Sequence, residues 1–137
     1  MANPVDLLRE RGFLYQCTDE PALKAAFDQG RITVYAGYDL TAASLHIGSL
    51  VTIMMLSHLQ RAGHRPLVIV GGGTTRVGDP SGKTAMRQML SPTRIEEHKQ
   101  GIKRVLARFI RFGDGPSDAV MVDNADWLLD LNYIDFL

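Results

Sequence analysis

The sequence predicts an α/β protein in which helices cross over between the strands of a parallel sheet, and three observations carry that prediction. Short β-branched or apolar runs occur at Ile32–Tyr38, Pro66–Val70 and Ala119–Val122, each flanked by turn-forming residues. Between them, apolar residues recur at helical spacing from Leu45 to Ala62 and from Thr93 to Ile110. An order of strand, helix, strand, helix, strand implies parallel pairing with right-handed crossovers. Ligands of such sheets bind beyond the carboxyl ends of the strands, which here means loops 39–49 and 71–83.

Two short helices precede the first strand. Pro4 to Arg11 has Val5, Leu7 and Leu8 as its apolar side and Gly12 as its stop. The second has Thr18 as cap, acids in its first turn, Pro21 early and Gly30 as terminator. The run Ile32–Tyr38 follows as a strand, then a loop from Asp39 to Ser44. A long helix from Leu45 carries Met54, Met55, Leu59 and Ala62 and ends at Gly63. Pro66–Val70 is a continuous apolar run too short for a helix, which predicts a strand buried on both faces. Gly71 to Gly82 forms a glycine-rich loop, with a helical stretch beginning at Lys83. Thr93-Arg94-Ile95-Glu96 has the pattern of a capping box and opens the helix that carries Ile102, Val105, Leu106, Phe109 and Ile110. Ala119–Val122 is the third strand, and a helix-like pattern runs from Leu128 to Leu137.

Composition narrows the function classes. A chain of 137 residues has room for one domain, and 45% apolar with 22% charged residues is ordinary for a globular fold. Fifteen basic and fifteen acidic residues cancel, so no overall field draws the chain to nucleic acid or membrane. Cys17 is the lone cysteine, which excludes an internal disulfide and suits a reducing cytoplasm. No apolar run has the length of a membrane helix, and Met1 to Asp6 has no signal-peptide pattern. Cys17, His46, His58, His64 and His98 have no zinc-type spacing, so no protein-bound metal is expected.

The two loops hold the chemistry. Gly71 to Thr84 invites a phosphate-loop reading, but that motif needs glycine where Val77 stands, and the dinucleotide motif needs it at Arg76. A glycine-rich turn would explain Gly71 to Gly73 on backbone grounds alone, yet it leaves Asp79, Lys83 and Arg87 unexplained. In the first loop, His46 read by itself is a cap or a satisfied surface group. Gly48, costly inside a helix, suggests close approach of something flat to the backbone. Thr41, His46 and Ser49 around a helix N-terminus suit a polyphosphate. Together the loops suggest a nucleotide site.

Those residues also carry a resemblance. Tyr35-Ala36-Gly37-Tyr38-Asp39 with Thr41-Ala42 and Ser44-Leu45-His46-Ile47-Gly48 resembles the first signature of class I tyrosyl-tRNA synthetases of bacterial type. Gly71-Gly72 through Gly78-Asp79-Pro80-Ser81-Gly82-Lys83, with Arg87, is similar to the second, and Asn124-Ala125-Asp126-Trp127 to a third block. Two positions depart from the family: Ser49 stands where its His-x-Gly-His element ends in histidine, and Ala36 where many relatives have cysteine. The resemblance implies the N-terminal half of a Rossmann-like doubly wound sheet, with residues 1–30 as a helical segment and 31–137 as an incomplete catalytic domain.

It also implies roles. Tyr35, Asp79 and Thr74 would bind tyrosine, with Tyr35 on the phenolic oxygen and Asp79 on the α-ammonium group. Gly37, Asp39, His46, Gly48 and Ser49 would bind ATP, which arrives with Mg²⁺ as a substrate. Thr41 and His46 would hold the leaving pyrophosphate, and Lys83 and Arg87 would close over it. Asn124 would join the pocket wall and Trp127 the core. In this family the catalytic fold continues beyond the equivalent of Leu137 and adds tRNA-recognising domains, so the expectation is the N-terminal portion of a cytoplasmic, dimeric ligase acting on tRNA(Tyr). One apolar sheet face and a strand edge would then stand uncovered. The other reading makes the 137 residues a non-catalytic module that binds a nucleotide or a partner through that edge.

Overall fold

The computed structural model describes residues 3–77 and 90–132. Its elements are α1 (Pro4–Glu10), α2 (Glu20–Asp28), β1 (Thr33–Tyr38), α3 (Ser49–Arg61), β2 (Arg65–Val70), α4 (Thr74–Val77), α5 (Pro92–Leu106), β3 (Val120–Asp123) and α6 (Ala125–Leu128). The described strands form one sheet in the order β1-β2-β3, parallel throughout. This is the α/β, parallel-sheet architecture predicted from the alternation of periods.

The helix starts correct three expectations. Asp19, not Thr18, caps α2, accepting the Ala22 N–H at 2.9 Å. A cap at Thr18 would have placed Pro21 at the third helical position, where the cap needs an N–H that proline lacks. Ser91, not Thr93, caps α5 through the Arg94 N–H, with Pro92 preset for the first turn. That helix ends at Leu106, so Phe109 and Ile110 lie beyond it. The helix placed from Leu45 starts only at Ser49. Ser49 and Leu50 donate to the carbonyls of His46 and Ile47, a tight three-residue spacing, and Ile47 is 84% exposed. No burial therefore rewards extending α3 backwards. At the other end Gly63, with φ +94°, stops α3 as the sequence predicts.

One face of the sheet is packed. Val34, Ala36 and Tyr38 of β1, Pro66, Val68 and Val70 of β2 and Met121 of β3 share that face by register. Against it lie Ile53 and Leu56 of α3 and Ile95, Ile102 and Leu106 of α5, forming the main core. A second cluster, Val5, Leu8, Phe27 and Leu59, seats α1 and α2 on α3. The opposite face carries Tyr35, Gly37, Leu67, Ile69, Val120 and Val122 and is only partly covered. The prediction that β2 is buried on both faces is thus corrected: burial alternates along it, with Pro66, Val68 and Val70 fully enclosed.

Candidate active site at the strand ends

Loop 39–48 leaves the carboxyl end of β1 and folds back to the start of α3. Gly37, Asp39, Thr41, His46 and Ser49 line a single crevice of about 510 Å³ there. Its floor is fixed by a chain of hydroxyl contacts. Thr52 Oγ1 donates to the Ser49 carbonyl at 2.9 Å, and the Tyr38 phenol lies 3.2 Å from Thr52 Oγ1. Because the threonine proton is already used, the phenol is the donor of that second bond. Burial pushes the Tyr38 phenol up, which keeps it protonated for that task.

The wall of the crevice is a helix end without a side-chain cap. Asn3, Asp19 and Ser91 cap α1, α2 and α5, whereas Gly48 at the start of α3 supplies no capping oxygen. The positive end of α3 therefore meets the crevice without a side-chain cap, its first two N–H groups turned back onto the His46 and Ile47 carbonyls. Gly48 has a reason within the chain as well: a Cβ there would sit 3.0 Å from the His46 ring. Its bare backbone gives the imidazole its place beside the helix start.

The second loop leaves the neighbouring strand and is tied to the first. Leu40 N donates to Thr75 Oγ1 at 3.2 Å, and Gly71 N donates to the Tyr38 carbonyl at 3.0 Å. The stretch expected to be loop closes into one turn of helix, α4, directly after Gly73. Thr74 sits at its start, where Asn124 holds it. The Asn124 side-chain oxygen accepts from Gly73 N at 2.8 Å and Thr74 N at 3.4 Å, and its amide donates to Thr74 Oγ1 at 3.1 Å. Tyr35 stands apart from the crevice, on the open sheet face, with 70% of its surface exposed. Asp79, Lys83 and Arg87, and the helical stretch expected from Lys83, lie outside the described residues.

A charged pair underlies the second loop. Asp123, at the end of β3, accepts the Gly72 N–H at 2.9 Å and the Ala125 N–H at 3.0 Å, and Lys99 of α5 reaches it at 3.0 Å. Burial by itself would raise the Asp123 carboxyl. The Ala125 N–H, the Lys99 ammonium and the Gly72 N–H outweigh it and hold the group below the usual carboxylate range. Lys99 is likewise raised by Asp123 against its own desolvation.

A family model described as tRNA synthetases class I (W and Y) matches residues 28–137. The chain belongs to that family. It is 56% identical over 131 residues to the tyrosine–tRNA ligase of Beijerinckia indica, an alignment covering 96% of this chain and 31% of that protein. It is 50% identical to the tyrosine–tRNA ligase of Clostridium tetani, covering 98% of this chain and 33% of the other. The chain thus spans about a third of the length of the curated relatives it matches. A C-terminally truncated mitochondrial tyrosyl-tRNA synthetase from Aspergillus nidulans superposes with TM-score 0.77 at 23% identity, covering 98% of this chain and 41% of that one. The corresponding structure from Coccidioides posadasii gives TM-score 0.75 at 23% identity, covering 98% of this chain and 39% of that one. At that identity the two structures speak for the fold, which is the Rossmann-like half-sheet predicted for the chain.

Sequence reading missed Thr52, Thr75, Lys99 and Asp123, whose partners lie from 2 to 51 residues away. Asp123 was within reach, since a carboxylate at a strand end beside Asn124 can cap the following turn. Trp127, placed in the core, is instead 48% exposed on the single turn of α6. Among the described residues no cluster of His, Cys, Asp or Glu could hold a metal ion, and no helix is long and apolar enough to cross a membrane.

Proposed function

We propose that the chain forms the ATP- and tyrosine-binding N-terminal part of a tyrosine–tRNA ligase. The observation that carries this reading is the joining of two signature loops at the ends of adjacent parallel strands, through the Leu40–Thr75 hydrogen bond. The kinship with tyrosine–tRNA ligases over 96% of the chain supports the choice of substrate.

The reaction proceeds in two steps. The tyrosine carboxylate attacks the α-phosphate of ATP in line and displaces pyrophosphate; a 3′-terminal hydroxyl of tRNA(Tyr) then takes the tyrosyl group from the adenylate. No protein nucleophile is required, so positioning and charge stabilisation supply the rate. Gly37, Asp39, Gly48 and Ser49 receive the adenosine side, on the crevice and helix start described above. Thr41 and His46 receive the developing charge of the pyrophosphate, assisted by the uncapped α3 dipole. Lys83 and Arg87 complete that clamp from the second signature. Tyr35 hydrogen-bonds the substrate phenol, while Asp79 pairs with the ammonium group and Thr74, fixed by Asn124, borders it. Mg²⁺ enters with ATP, the complete enzyme is a cytoplasmic homodimer, and most of its tRNA contact lies outside these residues.

Tyrosine-dependent exchange of pyrophosphate into ATP, measured on the complete polypeptide that carries this chain, tests the reading. Thr41→Ala and His46→Ala should each lower kcat by about 10²-fold with little change in KM, because their partner charge appears only in the transition state. A loss expressed mainly in KM would remove their assignment, and exchange independent of tyrosine would remove the substrate.

A further inference from the structure

We infer that α5, which supplies no residue to either signature loop, is the positioning element that holds both loops in one alignment. The inference rests on the proposed ligase reading and adds residues to it. The helix is anchored first: Ile95, Ile102 and Leu106 are buried in the main core, so its remaining faces have fixed directions. Three residues within one turn then reach the two loops.

His98 Nδ1 lies 2.7 Å from the Leu40 carbonyl. A carbonyl only accepts, so Nδ1 carries the proton. Leu40 is completely buried, its own N–H is bonded to Thr75, and Thr41 follows it directly. Both peptide groups that flank Leu40 are thereby held, the 39–40 group by the second loop and the 40–41 group, which leads into Thr41, by α5. Gly101 packs against the same loop so closely that a Cβ would collide with the carbonyl of Ala43. Between them Lys99 points to the other loop, pairing with Asp123 Oδ2 at 3.0 Å while Asp123 Oδ1 holds Gly72 N. A Cβ on Gly72 would overlap that carboxylate. One rigid helix thus sets the pyrophosphate side through His98 and the tyrosine side through Lys99, and the two routes should separate kinetically.

The experiment is pyrophosphate exchange on the complete polypeptide, with thermal unfolding recorded for every variant. His98→Leu should lower kcat about tenfold while the tyrosine KM stays within about twofold, as expected when a remote change misplaces a reacting group. His98→Asn, whose amide nitrogen falls where Nδ1 lies, should return kcat to within about threefold of the parent. Lys99→Met, which removes the ion pair and keeps the aliphatic stem, should raise the tyrosine KM about tenfold and leave kcat within about threefold. Equal losses in His98→Leu and His98→Asn, or losses that follow the unfolding temperature alone, would overturn the inference. So would unchanged tyrosine KM in Lys99→Met, which decides the matter by itself if His98→Leu does not fold. A parent that exchanges and variants that match it remove only the positioning role. A parent without tyrosine-dependent exchange removes the ligase reading, and this inference with it.

Discussion

The two faces of the sheet are made by alternate residues of the same three strands, yet they have opposite surroundings. Val34, Ala36, Tyr38, Val68 and Val70 meet α3 and α5 in the main core. Tyr35, Gly37, Leu67, Ile69, Val120 and Val122 meet little among the described residues. The covered face and the helices on it bring the site loops together, through the Tyr38–Thr52 contact and the grip of α5 on Leu40. The open face presents Tyr35, the residue assigned to the substrate phenol. On the proposed reading, stability and substrate recognition are separated by a single residue of register, since neighbouring strand residues point to opposite sides.

The sharpest way to break that comparison is to empty the covered face. Ile102→Ala removes a side chain with no exposed surface, and it should destabilise the fold by about 2–5 kcal/mol through lost burial and a residual cavity. The denaturant midpoint measures it, and a change below the lower bound would mean that α5 is less firmly seated than its burial indicates.

A smaller, pH-dependent effect belongs to the second cluster on the same side. His58 packs edge-on to Phe13 at 5.4 Å between ring centres, and His64 to Phe27 at 4.5 Å. His64 Nδ1 also accepts the Ile32 N–H at 3.3 Å, a bond only the unprotonated nitrogen can accept. Burial lowers both pKa values below 6.5, aided by Arg11 and Arg61 near His58 and by Arg31 near His64. Each histidine then leaves stability intact above pH 6.5 and costs stability as pH falls from there through its lowered folded value. Unfolding titrations should show that decline, and His64→Asn, which keeps an acceptor and does not titrate, should flatten it. An unchanged slope in His64→Asn would place the proton uptake elsewhere.

The smallest change in stability is expected on the open face. Tyr35→Phe should leave the fold within about 0.5 kcal/mol, since the ring is largely exposed. It should nevertheless raise the tyrosine KM by about tenfold, the worth of one hydrogen bond to a substrate hydroxyl. If stability falls and KM holds, the assignment of the two faces is reversed.

Much of this was legible without coordinates because it depends on local pattern. Ile32–Tyr38 and Pro66–Val70 read as strands through β-branching and length, and the structure keeps both within a residue of those bounds. The crevice residues Gly37, Asp39, Thr41, His46 and Ser49 fall within one short segment, so one loop brings them together. Helix starts were less legible. Thr18 and Asp19 are both good caps, and only the missing N–H of Pro21 chooses between them. Leu45 to Gly48 looked helical by apolar content, but Ile47 finds nothing to pack on.

The amino-acid sequence by itself determined the alternation of helix and strand and the parallel sheet, because hydrophobic period and turn chemistry act over a few residues. Tertiary structure alone decided which face of each strand is covered, that Trp127 lies outside the core, and that His98, Lys99 and Asp123 grip the loops. Those contacts join residues as far apart as Leu40 and His98, and a hydrogen bond between distant groups has no signature in the sequence until packing brings them within 3 Å.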